Sequence, residues 1–155
     1  MRLQEIMSRE IKSLPSTATV TEARSVMRQQ GVHHLLVIES RVVVGVVSDR
    51  DLGGPRARPN GEGGARLVSD VMARSVVGAG PETTVRQAAN LLRGRSIGCL
   101  PVLDNGKPVG IVTTTDLLEL LGRGIDRPVE RGERRTLRDR GPRRSGPTSR
   151  RARGG

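Results

Sequence analysis

The chain repeats itself. Shifted by 65 residues, Leu3 falls on Val68, Glu5-Ile6-Met7 on Asp70-Val71-Met72, Val20 and Ala23 on Val85 and Ala88, Val37 on Val102, Gly45 on Gly110 and Asp51 on Asp116. No gap is needed to hold this register. Such a repeat obliges the fold to use one supersecondary unit twice, with neighbouring copies covering each other's apolar faces.

Each copy reads alike. Thr19-x-x-Glu22 and Thr84-x-x-Gln87 have the capping-box spacing, in which a hydroxyl and a side chain three residues on satisfy free N–H groups, so helices are expected to start there. Behind them Val20, Ala23, Val26 and Met27, and Val85, Ala88, Leu91 and Leu92, recur at helical spacing and mark one apolar face. Residues 32–38 and 97–103 read as strands, each followed by a turn and a second strand, 42–47 and 107–112. Asp104-Asn105-Gly106 suits a tight hairpin, and Glu39-Ser40-Arg41 suits it less well. A last helix is expected to open at Asp116, whereas the glycines and prolines of GGPRARPNGEGGA (53–65) break regular structure and cut short its counterpart in the first copy.

Composition narrows the function. Phe, Tyr and Trp are absent, which removes the stacking platforms of single-strand and RNA readers, so a bound base would sit among aliphatic side chains. Cys99 is the only cysteine, so no internal disulfide exists and a reducing, cytoplasmic setting is expected. No leader-like segment and no long apolar run suggest a membrane. Residues 123–155 carry twelve arginines and four acidic residues, hence eight of the eleven net positive charges. With almost no apolar residues, this tail is expected to be disordered, and it is the one part suited to nucleic acid.

Two helix-strand-strand-helix units, each second strand ending Gly-[Ile/Val]-Val-[Ser/Thr]-x-x-Asp, resemble the CBS (cystathionine β-synthase) domain pair. The "LPV" strand at 100–102 and the "IM" and "VM" openings belong to the same likeness, which covers roughly residues 3–121. It implies an α+β fold of tandem CBS domains packed about a pseudo-twofold axis, with units at 1–55 and 67–122, a linker at 56–66 and the basic tail at 123–155.

The resemblance also implies two clefts for an adenine nucleotide (AMP, ADP or ATP) or another adenosyl ligand, with no obligatory cofactor. A carboxylate at a strand-to-helix junction suits a vicinal diol, and the helix N-terminus beyond it suits phosphate. Asp51 and Asp116 would clamp ribose, Ser48, Thr113 and Thr115 would face phosphate, and Arg50, in the place of Thr115, would add charge. Val46 and Ile111 would wall the adenine. The Asp51 cleft would borrow Thr83, Ala88, Ile97, Gly98 and Cys99 from the other unit, and the Asp116 cleft would borrow Ala18, Ala23, Val32, His33 and His34. Since the family's early Thr is Ala18 in one unit and Thr83 in the other, the Asp51 cleft is the better furnished.

Each of these residues also has a plainer role. An Asp at a helix start is a cap worth about 1 kcal/mol, Ser48 and Thr113 end strands, and Cys99 fits a core. Adjacent His33 and His34 point to opposite faces of a strand and do not make a metal site. No catalytic constellation appears. The leading expectation is a non-enzymatic regulatory module that senses an adenosyl ligand, dimerises with its own kind and acts on an unidentified protein. The alternatives are a nucleic-acid-associated protein that binds through its tail and a scaffold with empty clefts.

Overall fold

A computed structural model describes residues 1–53 and 66–124. The elements run α1 (Leu3–Ile6), β1 (Ser13–Leu14), α2 (Val20–Gln30), β2 (His34–Glu39), β3 (Val42–Ser48), α3 (Val68–Val71), α4 (Val85–Arg95), β4 (Cys99–Asp104), β5 (Lys107–Thr113) and α5 (Thr114–Arg123). The central linker and the basic tail expected from composition lie, save for their first or last residues, outside the described residues.

Both expected capping boxes close. Thr19 Oγ1 accepts from the Glu22 amide at 3.1 Å while Glu22 accepts from the Thr19 amide at 2.6 Å. Thr84 and Gln87 repeat the arrangement at 3.2 and 2.9 Å. With its ends satisfied, each helix turns Ala23 and Met27, or Ala88 and Leu92, into a core. β2 pairs antiparallel with β3, and β4 with β5, each with an irregularity at the same repeat position, Val37/Ile38 and Val102/Leu103. In the second hairpin Asn105 and Gly106 take positive φ (49° and 77°), as two-residue turns require. Ser40 and Arg41 do the same at 47° and 67° in the first, because the strand register leaves only two residues to reverse the chain.

Only the structure reveals that the units exchange their openings. Leu3 donates its amide to Thr83 O at 2.9 Å, and Val85 donates to Met1 O at 3.1 Å, so α1 lies against the second unit. Reciprocally, Val20 donates to Arg66 O at 2.8 Å and Val68 to Ala18 O at 2.7 Å, which sets α3 against the first. The cores show the same exchange. Leu3 and Met7 are buried with Ala88, Leu92, Leu100, Val102 and Val112, whereas Val68 is buried with Ala23, Leu35, Val37 and Val47. At about 1.5–3 kcal/mol for a fully buried aliphatic side chain, these single insertions weigh heavily on a domain this small.

The exchange continues at the sheet edges. Ser8 pairs with Ile111 of β5 through two hydrogen bonds of 2.9 Å, and Ala73 pairs with Val46 of β3 at 3.0 and 2.8 Å. Over these crossings Met7 lies on Gly110 and Met72 on Gly45. A Cβ built on either glycine would stand 2.5 Å from the thioether sulfur, so only a residue without one permits the approach. This accounts for a glycine inside each apolar second strand. β3 and β5 also touch, which seats the two sheets against one another.

Candidate functional site

Both second strands end in a reciprocal box. Asp51 Oδ2 accepts from the Ser48 amide at 2.8 Å and from its hydroxyl at 2.9 Å, and Ser48 Oγ accepts the Asp51 amide at 3.2 Å. Thr113 and Asp116 reproduce the three bonds at 2.8, 2.9 and 3.2 Å. Helix α5 therefore opens at Thr114 with Thr113 as its cap, two residues earlier than the sequence suggests, and Asp116 is the third residue of its first turn. The physical reason is that a carboxylate three residues into a helix reaches back to the cap amide. In the first unit the same box leads, within the described residues, into a turn closed by Leu52 N to Ser48 O at 3.2 Å and Gly53 N to Arg50 O at 3.0 Å.

The geometry assigns each carboxylate one engaged oxygen. Among the described residues the hydrogen bonds that Asp51 and Asp116 side chains accept all fall on Oδ2, and Oδ1 of each is an open acceptor. Asp51 is exposed and Asp116 half-buried. The hydroxyls of Ser48 and Thr113 are occupied by the boxes. Thr115 and Arg50 are exposed at equivalent positions.

Residues of both units meet beside Asp51. The His34 ring fills the space above Gly98, with Nε2 2.6 Å from where a Cβ would stand. Burial chiefly, and then the charge of His33, pull the His34 pKa below its usual 6.5, against the opposing pull of Asp51 and Asp49. Burial, reinforced by Asp51, pushes the Cys99 thiol up to about 12, so it stays protonated and unreactive. Asp51 thus exerts its charge on His34 of its own unit and on Cys99 of the other.

The remaining candidates are spread around this seam. Val46 and Ile111 are half-buried on β3 and β5 where Ala73 and Ser8 cross them, and Ile97 is half-buried beside the second core. Thr83 accepts the Gly80 amide at 3.1 Å and, with Gln87, Asn90 and Leu91, lines an open depression of about 460 Å³. Ala88 and Ala23 are wholly buried in the cores. Ala18 and Val32 pack on the first core. His33 is exposed with Nδ1 3.1 Å from Asp49 Oδ2, which links it to the chain beside Asp51; among the described residues no hydrogen bond or ion pair ties it or His34 to Asp116. Sequence reading gave Asp49 no role and did not place Met7 and Met72 at the crossings, although both stand at the repeat spacing that marked the rest. Among the described residues no three His, Cys, Asp or Glu side chains gather to hold a metal, and no helix is long and apolar enough to cross a membrane.

Two copies of a hairpin capped by helices, exchanging their openings and each ending in a Ser/Thr-x-x-Asp box, define a tandem module. The family model for the CBS domain matches residues 3–52 and 68–123, and the chain belongs to that family. It is 31% identical over 115 residues to the CBS domain-containing protein YhcV of Bacillus subtilis, covering 74% of this chain and 81% of that one. It is 32% identical over 117 residues to the inosine-5'-monophosphate dehydrogenase of Korarchaeum cryptofilum, of which it spans only 23%. Among solved structures, the CBS domain pair of protein MJ0100, in complex with 5'-methylthioadenosine and S-adenosyl-L-methionine, superposes with a TM-score of 0.71 at 23% identity, over 79% of this chain and 97% of that one.

Proposed function

We propose that the chain is a non-catalytic regulatory module that binds an adenosyl-containing ligand where its units meet, and that its leading site is beside Asp51. The observation that carries this reading is the open Oδ1 of each box carboxylate, which for Asp51 lies at a junction where His34 meets Gly98 of the other unit. A ribose diol presents O–H donors that the open Oδ1 can accept, while the exposed guanidinium of the adjacent Arg50 favours an anionic tail. The adenosyl ligands in the related MJ0100 pair support the class of compound. The exposed apolar residues of α5 support a homodimer, and the protein that reads the ligand state is a partner yet to be found.

Calorimetric titration of AMP, ADP, ATP, S-adenosylmethionine and 5'-methylthioadenosine tests this, first on the wild type and then on Asp51→Asn and Asp116→Asn. Asn caps about as well as Asp, so the turns persist while an anionic acceptor is lost. A charge-assisted hydrogen bond is worth about 1.5–3 kcal/mol, so affinity in the altered cleft is expected to fall roughly tenfold to a hundredfold. Asp116→Asn is expected to cost less, because Ala18 offers that cleft no hydroxyl. Affinity unchanged in both variants and in the double variant would overturn the proposal.

A further inference from the structure

The 65-residue register sets Arg24 of α2 against Ala89 of α4. In the second unit the box runs on into the ten residues of α5, whose Leu117 and Leu120 are buried, and Ala89 packs beside the same core. In the first unit Leu52 is buried to 4% exposure as Leu117 is, within the turn of residues 51–53. Arg24 Nη2 donates to the Leu52 carbonyl, whereas Ala89 at the matching place in the second unit offers no side-chain donor.

The guanidinium is committed to that place. Among the described residues Arg24 Nε is buried without a hydrogen-bond partner, a loss of hydration that the Nη2 bond to a main-chain carbonyl offsets. We propose that Arg24 fastens the Asp51 turn to α2 and is thereby a positioning residue for the Asp51 site. The effect on ligand rests on the adenosyl-binding function proposed for that site; the effect on the turn rests on geometry alone. Without Arg24 the turn keeps its box, its backbone bonds and the buried Leu52 side chain but loses its hydrogen bond to α2, and the Asp51 carboxylate is held less firmly.

The test uses the full chain with Arg24→Met, which keeps the stem and removes every donor, and Arg24→Lys, which keeps the stem and one cationic donor. Amide hydrogen exchange is followed by NMR at Asp51, Leu52 and Gly53, and at Asp116 and Leu117 of the other box. The Met variant is expected to exchange about tenfold faster at the first box with the second unaltered, and the Lys variant to stay near wild type. Unchanged exchange in the Met variant, equal acceleration at both boxes, or a Lys variant that behaves as Met would each overturn the proposal. A second arm titrates AMP and S-adenosylmethionine into Asp116→Asn chains, where the Asp51 site remains. There Arg24→Met is expected to weaken binding about tenfold, and Asp51→Asn to cost less in its presence than alone, since both act on one carboxylate. Should neither probe bind the wild type, the nucleotide reading fails, while the exchange arm still decides the role of Arg24.

Discussion

Replacing Gly110 by alanine probes the crossing on which both units depend. A Cβ there would stand 2.5 Å from Met7 Sδ, 2.9 Å from its Cγ and 3.0 Å from Ser8 O. Unstrained contacts between such atoms lie at about 3.5–4.0 Å. Met7 is 6% exposed, wedged among Leu3, Leu100 and Val112, and the Ser8 main chain is pinned by its two bonds to Ile111, so neither neighbour has room to yield. Overpacking of this kind costs about 1–3 kcal/mol, and alanine returns roughly 0.5–1 kcal/mol by restricting the unfolded chain, so a net loss of about 1–2 kcal/mol is expected. At Gly45 the same construction meets Met72 Sδ at 2.5 Å and Ala73 O at 3.2 Å, but Met72 is only half-buried and swings outward. The net cost there is expected to be below about 0.5 kcal/mol. Urea unfolding followed by far-ultraviolet circular dichroism measures both, since a chain without Phe, Tyr or Trp gives no intrinsic fluorescence. In a Met7→Ala background the added methyl should cost less than half as much, because the thioether it strikes is gone. Gly45→Ala as damaging as Gly110→Ala, or strict additivity with Met7→Ala, would refute the steric argument.

Two further outcomes are expected. The folded pKa of His34 lies below its unfolded value near 6.5, so the native state binds fewer protons than the unfolded one; the His34 contribution is whole above about pH 6.5 and is lost as the pH falls towards the folded value. Glu22, whose carboxyl is held below 4.5 by the Thr19 amide, acts only at lower pH, so melting temperature followed from about pH 7.5 to 5 should decline less steeply in His34→Gln, and an identical slope would dismiss His34 as its source. For assembly, Leu118 and Leu121 stand three apart on α5 at 62% and 61% exposure, an apolar stripe suited to a second copy. Light scattering at micromolar concentration is expected to give twice the 16.7 kDa chain mass, falling to the monomer in L118E/L121E, and a monomeric wild type would end that expectation.

Local chemistry made much of this protein legible in its sequence, because capping boxes, helical periodicity and hairpin turns act over a few residues and leave fixed spacings behind. The repeat, the helices α2 and α4, both hairpins and the recurrence of Asp51 and Asp116 could all be read that way. The tertiary structure alone decided against which unit each apolar face packs. The pattern around Leu3 and Val68 says that one side is buried, but periodicity carries no address, and only pairing in space sends α1 to the second unit and α3 to the first. The same holds where a local preference is overruled. Ser40 and Arg41 adopt left-handed backbone because strand register demands it, and His34 settles over Gly98 because the other unit presents a residue without a Cβ. The carboxylates show both sources at once: their spacing was written in the chain, while the contact of His34 with Gly98 beside the Asp51 box exists only after two copies of one unit have folded against each other.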